Sequence, residues 1–358
     1  MKATLDTEHD KQVPRALLPL SRLRAGRNDK REGSRTEAAW AQVCATAGAV
    51  VWAGLAVLAR MGIARVGAIE LLFLFAPLVI VPLGMELARV LVGRGWLGEI
   101  ARRLQPLGAA CAVAAMWVGP GRKAGLLALG WMVVCLLVAG AGALDLVSAS
   151  WGDSGRSARA TWVSATVAIA RIDLAVGGAW LVASRLGMRP VGIQEPIGLL
   201  TAVHFHYAGF ATTTIAAAAL RFAESRARGM SLRYLVLAVA GLPFVVAAGF
   251  VISPPLKMGA AVLFSACVAA LAVWLQACGR RAEDAMARVL LQVAAAAVFA
   301  GVLFSAAYAV ADFAGSDLLP IPLMARTHGL LNSVGFCLPG LLGWLVEGST
   351  QYTVPSTQ

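Results

Sequence analysis

EPIGLLTAVHFHYAGFATTTIAAAAL, Glu195 to Leu220, is the stretch on which the reading of this chain turns. After Glu195 it holds no Asp, Glu, Lys or Arg. At about 1.5 Å of rise per residue, a helix from Gly198 to Leu220 is long enough to cross the hydrocarbon core of a bilayer. Inside that run sit His204, His206, Tyr207 and Thr213. Polar groups are expensive at that depth, so a helix that keeps them reads as a membrane helix with something to hold.

The surrounding chain agrees. Of 358 residues, 59% are hydrophobic and 14% charged, with a mean hydropathy of +0.74. A soluble domain carries about 25% charged residues. Disorder over most of the chain and an ordinary soluble enzyme are both excluded. Apolar runs of spanning length recur at about 41–59, 66–88, 104–119, 123–144, 160–183, 198–220, 232–252, 258–277, 288–311 and 327–346. The expectation is an all-α polytopic bundle of about ten spans, at 41–346. It is flanked by a basic tail at 1–40, expected to be disordered and cytosolic, and a short cytosolic tail at 347–358. The third run is short, and the fifth carries Arg171 and Asp173.

The net charge is +12, and the basic residues lie mostly in the tail and between apolar runs. That distribution points to a bilayer, not to nucleic acid. With the N-terminus in the cytosol, the inner segments hold 22 Lys and Arg and the outer ones 8. The positive-inside rule therefore puts both termini in the cytosol. Pro77 and Pro82 in the second run and Pro243, Pro254 and Pro255 around the seventh stand in loosely matching places, as in an inverted repeat. The cysteines, Cys44, Cys111, Cys135, Cys267, Cys278 and Cys337, have no paired spacing and read as small core residues.

His204, His206 and His328 all fall toward the outer side. Two residues on a helix turn about 200°, so His204 and His206 face nearly opposite ways. His328, Asn332 and Gly335 make one stripe. Glu70 lies near the outer start of the second span, where a carboxylate can fix an imidazole tautomer. Arg171 and Asp173 lie near mid-membrane and need partners from other helices. Together, Glu70, Arg171, Asp173, His204, His206, Tyr207, His328 and Asn332 suggest one outward-facing pocket for ligand binding or proton coupling. His206 is the favoured partner of His328 and Asn332. His204, His206 and His328 are also candidates for a metal, or for a haem held between two of them. No Walker A, HExxH, GxSxG or CxxCH motif is present, and no cofactor is called for.

LTAVHFHYAGF (Leu200 to Phe210) and THGLLNSVGFCLPGLLGW (Thr327 to Trp344) resemble the motifs of the YndJ-like bacterial membrane proteins. The resemblance implies a multipass protein of the cytoplasmic membrane whose motif residues are His204, His206, Tyr207, His328 and Asn332. It brings no substrate or reaction. The residues point to a transporter or permease-like protein for a small solute or ion more than to an enzyme. A non-catalytic sensor or assembly protein, and a histidine-ligated metal or haem protein, are the alternatives.

Overall fold

Apolar runs punctuated by Gly, Pro and charge fold into helices with short connections. The computed structural model describes the backbone of residues 20–150, 158–225 and 230–351, and the side chains of 40–147, 162–225 and 231–349. Among the described residues there are ten long helices and no strand. They are α1 (Leu20–Arg60), α2 (Ala68–Val92), α3 (Trp96–Trp117), α4 (Arg122–Ser150), α5 (Ala158–Leu186), α6 (residues 197–224), α7 (Met230–Ile252), α8 (Pro254–Gly279), α9 (Ala285–Phe313) and α10 (residues 321–351). The chain divides into a unit ending at Trp40 and one beginning at Ala41. The helix α1 opens at Leu20, inside the segment expected to be disordered. Residues 1–19 of that segment, and 352–358 of the expected C-terminal tail, lie outside the described residues.

Among the described residues eight helices are long and apolar enough to cross a membrane. The other two are α3 and α6, and their sequences explain why. The first two turns of α3 carry Glu99, Arg102 and Arg103. The helix α6 carries the histidines and Thr212, Thr213 and Thr214. It is also the centre of the larger unit, packing on α2, α5, α7, α8 and α10. Every residue from Gly209 to Leu220 is buried. Its Ala216 to Ala219 run is small enough for neighbours to approach from all sides. A helix shielded by other helices can keep polar residues that a lipid-facing one cannot.

The helices α2, α6 and α10 lie side by side in one direction, first half against first half and second against second. All three are interrupted by wider π turns: Ala76–Ile80 in α2, Phe205–Ala211 in α6, and Ala325–Gly329 and Leu331–Cys337 in α10. In α2 the cause is legible. Pro77 has no N–H, so the Phe73 carbonyl takes the Ala76 N–H instead. The Leu72 carbonyl is thereby freed, and the buried Tyr207 hydroxyl of α6 donates to it at 2.7 Å. The Val81 N–H reaches back to the Ala76 carbonyl. That frees the Pro77 carbonyl, to which Gln105 Nε2 of α3 donates at 2.6 Å. An unpaired backbone group in an apolar interior costs several kcal/mol, about as much as a good hydrogen bond returns there.

The seventh helix does not match the second. Pro243 lies within an uninterrupted α7, and Pro254 and Pro255 open α8, capped by Ser253. The proline correspondence expected of an inverted repeat is therefore not mirrored in the helix geometry.

Candidate functional site at the junction of three interrupted helices

The eight residues singled out in the sequence do not form one pocket. Three of them meet. His204 on α6 and His328 on α10 face each other, with ring centroids 6.5 Å apart and planes 27° from parallel. Asn332, one turn beyond His328, donates from Nδ2 to the His328 carbonyl at 2.7 Å and lies 3.1 Å from its Nδ1. Gly301 of α9 makes room, since a Cβ there would stand 2.6 Å from Asn332 Nδ2.

The hydrogen bonds fix which nitrogen carries the hydrogen in each neutral ring. His204 Nδ1 lies 2.7 Å from the Leu200 carbonyl and His328 Nδ1 lies 2.9 Å from the Gly301 carbonyl. A carbonyl only accepts, so Nδ1 carries the hydrogen in both rings, and Nε2 keeps its lone pair. Among the described residues nothing bonds to either Nε2. His204 is exposed and His328 half-buried, so the pair opens at the surface of the bundle. It presents two neutral acceptors, each able to take a proton, a donor group or a cation.

His206 is a different object. It is wholly buried. Its Nδ1 donates to the Ala202 carbonyl at 2.7 Å, and its Nε2 accepts from the Trp131 indole N–H of α4 at 2.9 Å. Phe73 meets the ring edge-on at 5.0 Å, and Trp131 lies nearly parallel to it. Gly177 of α5 closes the remaining side, because a Cβ there would stand 2.6 Å from His206 Nδ1. With both nitrogens engaged, His206 takes no ligand. It is His204, not the favoured His206, that joins His328 and Asn332. Tyr207 likewise is spent on the Leu72 carbonyl.

The remaining three candidates go elsewhere. Glu70 is half-buried and, with Glu195, acts electrostatically on Arg185 at the end of α5. Arg185 is buried, with Nη2 on Ser184 and no partner for Nε. Arg171 is ion-paired with Asp145 of α4 and lines a cleft toward the far end of α2. It therefore does not belong to a site with the histidines. Asp173 is wholly buried, with no hydrogen-bond partner for either oxygen, and packs against Gly209 in the π turn of α6. The residues the sequence had grouped by depth are thus spread over α2, α5, α6 and α10 with different partners.

Sequence reasoning missed Trp131, Gln105, Asp145 and Arg185. A signal existed for the first two. A buried indole N–H or a mid-helix amide needs a partner, and an apolar run supplies few besides displaced carbonyls and neutral imidazoles.

Among the described residues no group of three or more His, Cys, Asp or Glu is placed to hold a metal. The pair His204 and His328 offers two nitrogens only, so any metal there would take its other ligands from water or solute. The cysteines at Cys44, Cys111, Cys135, Cys267, Cys278 and Cys337 are all free.

The model of a family described as YndJ-like protein matches residues 71–336. That range takes in α6 and most of the histidine-bearing part of α10. A relative named "Uncharacterized membrane protein YndJ", from Bacillus subtilis (strain 168), is 27% identical over 187 residues. The alignment covers 52% of this chain and 34% of the relative, so the chain spans about a third of that protein's length. No solved structure matches.

Proposed function

The chain belongs to the YndJ-like family, and for this multipass membrane protein we propose a permease-like function, in which a small solute or ion is bound at His204, His328 and Asn332. One observation carries the reading. Three parallel helices, each interrupted by π turns, converge on a pair of imidazoles whose Nε2 atoms are unoccupied. Such turns recur at functional sites because they leave backbone groups out of register and allow a helix two closely related windings. Discontinuous helices around a central site are also a recurrent build of transporters. In this reading α3 and α6 cross the membrane with the eight apolar helices, both termini are cytosolic, and the histidine pair opens outward in the cytoplasmic membrane of a bacterium. Each imidazole Nε2 can hold either a proton or a donor group of the cargo, so the two compete for the same lone pairs.

A second reading, a two-histidine site for a metal ion, is favoured by one feature. Both rings carry hydrogen on Nδ1 toward a carbonyl, as ligating imidazoles do.

The test is charge displacement by reconstituted protein on a solid-supported membrane, against a panel of small ions and organic solutes. The expected result is a transient with one class of solute, reduced about tenfold or more in His328→Gln, as expected for loss of a hydrogen bond to a charged or polar ligand. No transient with any solute, or equal transients in wild type and the His204→Gln/His328→Gln variant, overturns the proposal. Stoichiometric metal in protein purified without affinity metals would select the second reading.

A further inference from the structure

Asp173 stands near the middle of α5, wholly buried, and neither of its oxygens has a hydrogen-bond partner among the described residues. An isolated buried carboxylate is so costly that such groups are normally paired, hydrogen-bonded or bound to a cation. The charged groups of the helices around α5 are engaged with one another. Arg171, two residues before Asp173 and so turned about 200° from it, is ion-paired with Asp145 of α4. Glu86 of α2 is held by Arg89, and Glu224 of α6 by Arg233 of α7. The nearest imidazole along α6, His206, has one nitrogen on the Ala202 carbonyl and the other on the Trp131 indole.

The facing wall belongs to α6 and carries a second unpartnered oxygen. Gly209 lets the two helices approach, since a Cβ there would stand 3.1 Å from Asp173 Oδ2. Further along α6, Ala217 packs with Val167 of α5 and Ala88 of α2. Thr213 lies midway between Gly209 and Ala217, one turn from each, and so on the face that α6 turns to α5. It is wholly buried, and its hydroxyl has no partner among the described residues. On either side, Thr212 donates to the Tyr207 carbonyl at 2.9 Å and Thr214 to the Phe210 carbonyl at 2.7 Å. Thr213 alone of the three does not fold back on its own helix. The π turn adds an acceptor beside it: the Thr212 N–H reaches back to the Tyr207 carbonyl, which leaves the Ala208 carbonyl without its usual partner four residues on.

We propose that Asp173 and Thr213 hold a monovalent metal cation between α5 and α6. The groups on offer are all oxygens, which suits a hard ion and not a metal that seeks thiolate or imidazole. One carboxylate cancels one positive charge, so this wall favours an alkali cation over a divalent one, whose second charge would be left uncompensated away from water. Asp173 and Thr213 are not hydrogen-bonded to each other, as befits two oxygens that share an ion. The site is separate from the histidine pair, which lies on the face of α6 toward α10, and it does not rest on the permease reading.

The experiment uses the full chain purified in a neutral detergent and a buffer free of alkali cations. Its thermal unfolding is followed while sodium, lithium or potassium chloride is titrated, with choline chloride at matched ionic strength as the control and calcium chloride as the divalent probe. A ligand bound only by the folded protein raises the melting temperature saturably. The expected result is such a rise with at least one alkali chloride and none with choline. Asp173→Asn should raise the half-saturating concentration about tenfold or more, as for loss of a charged ligand, and Thr213→Val about threefold or more. Without alkali cation, Asp173→Asn should melt no lower than wild type, because it removes a buried carboxylate that nothing then balances. Thr213→Val provides the same reading if the Asp173 variant does not fold. No saturable rise beyond choline, equal responses in wild type and both variants, or a response to calcium alone overturns the proposal. Stabilisation by acid with no cation response assigns a proton to Asp173 and overturns it as well. His204→Gln/His328→Gln leaves the cation response unchanged, so failure here and failure of the permease reading are distinguishable.

Discussion

His204 and His206 stand two residues apart on α6 and have opposite chemistry. Both rings fold back onto the carbonyl four residues earlier, Leu200 for one and Ala202 for the other. What differs is the second nitrogen. His206 Nε2 meets the Trp131 indole in a closed compartment of Phe73 and Gly177, whereas His204 Nε2 has no such partner and its ring faces His328. The comparison teaches that depth and residue type do not define a site. The same imidazole in the same tautomer is a packing element where its last lone pair is taken, and a binding group where it is not.

The comparison breaks most sharply at His206. Replacing it with Ala leaves a cavity and an unpaired indole N–H, and the expected loss of stability is about 3–4 kcal/mol. A melting curve in detergent no different from that of His204→Ala would dissolve the distinction. Arg171→Leu is expected to cost about 2–3 kcal/mol, because Asp145 is left without its partner. Adding Asp145→Leu should recover most of that loss, and a failure to recover would mean that Arg171 is held by more than one carboxylate.

Trp131→Phe keeps an aromatic ring over His206 but removes the donor. The expected cost is about 1–2 kcal/mol, and it should largely vanish when His206 is already Leu. Full additivity of the two changes would show that the Trp131–His206 hydrogen bond carries no stability. The smallest effect belongs to His204→Gln, expected within about 0.5 kcal/mol of wild type because the ring is exposed and its Nε2 unpaired. A large loss there would make His204 structural like its neighbour.

Much of the helical layout was readable because apolar length and basic punctuation are averaged over many residues. Runs such as 288–311 and 232–252 reappear as α9 and α7 with ends moved by a few residues. The site was readable only in part. Periodicity put His328 and Asn332 on one face, and the 200° offset separated His204 from His206. Neither says which of two opposite faces of α6 meets α10. That choice depends on Trp131 of α4 and Gly177 of α5, side-chain contacts that the periodicity of α6 alone does not carry. Arg171 and Asp173 were grouped with the histidines because depth was the only coordinate available. Rotation about α5 sends one to Asp145 and the other to Gly209. The π turns had a sequence cause in α2, at Pro77, but none so plain in the 205–211 segment of α6.

The central placement of α6 bears on how the protein is made. In the topology proposed above, this helix leaves the ribosome as a segment too polar to partition into lipid well by itself, because insertion is decided largely by mean hydropathy. Its companions α2, α4 and α5 precede it in the chain, and they supply the Leu72 carbonyl that takes Tyr207 and the Trp131 indole and Gly177 that enclose His206. Biogenesis would then be sequential by necessity: the earlier helices must linger at the translocon until α6 arrives, and the Leu72 carbonyl uncovered by Pro77 is a waiting acceptor for Tyr207 when it does.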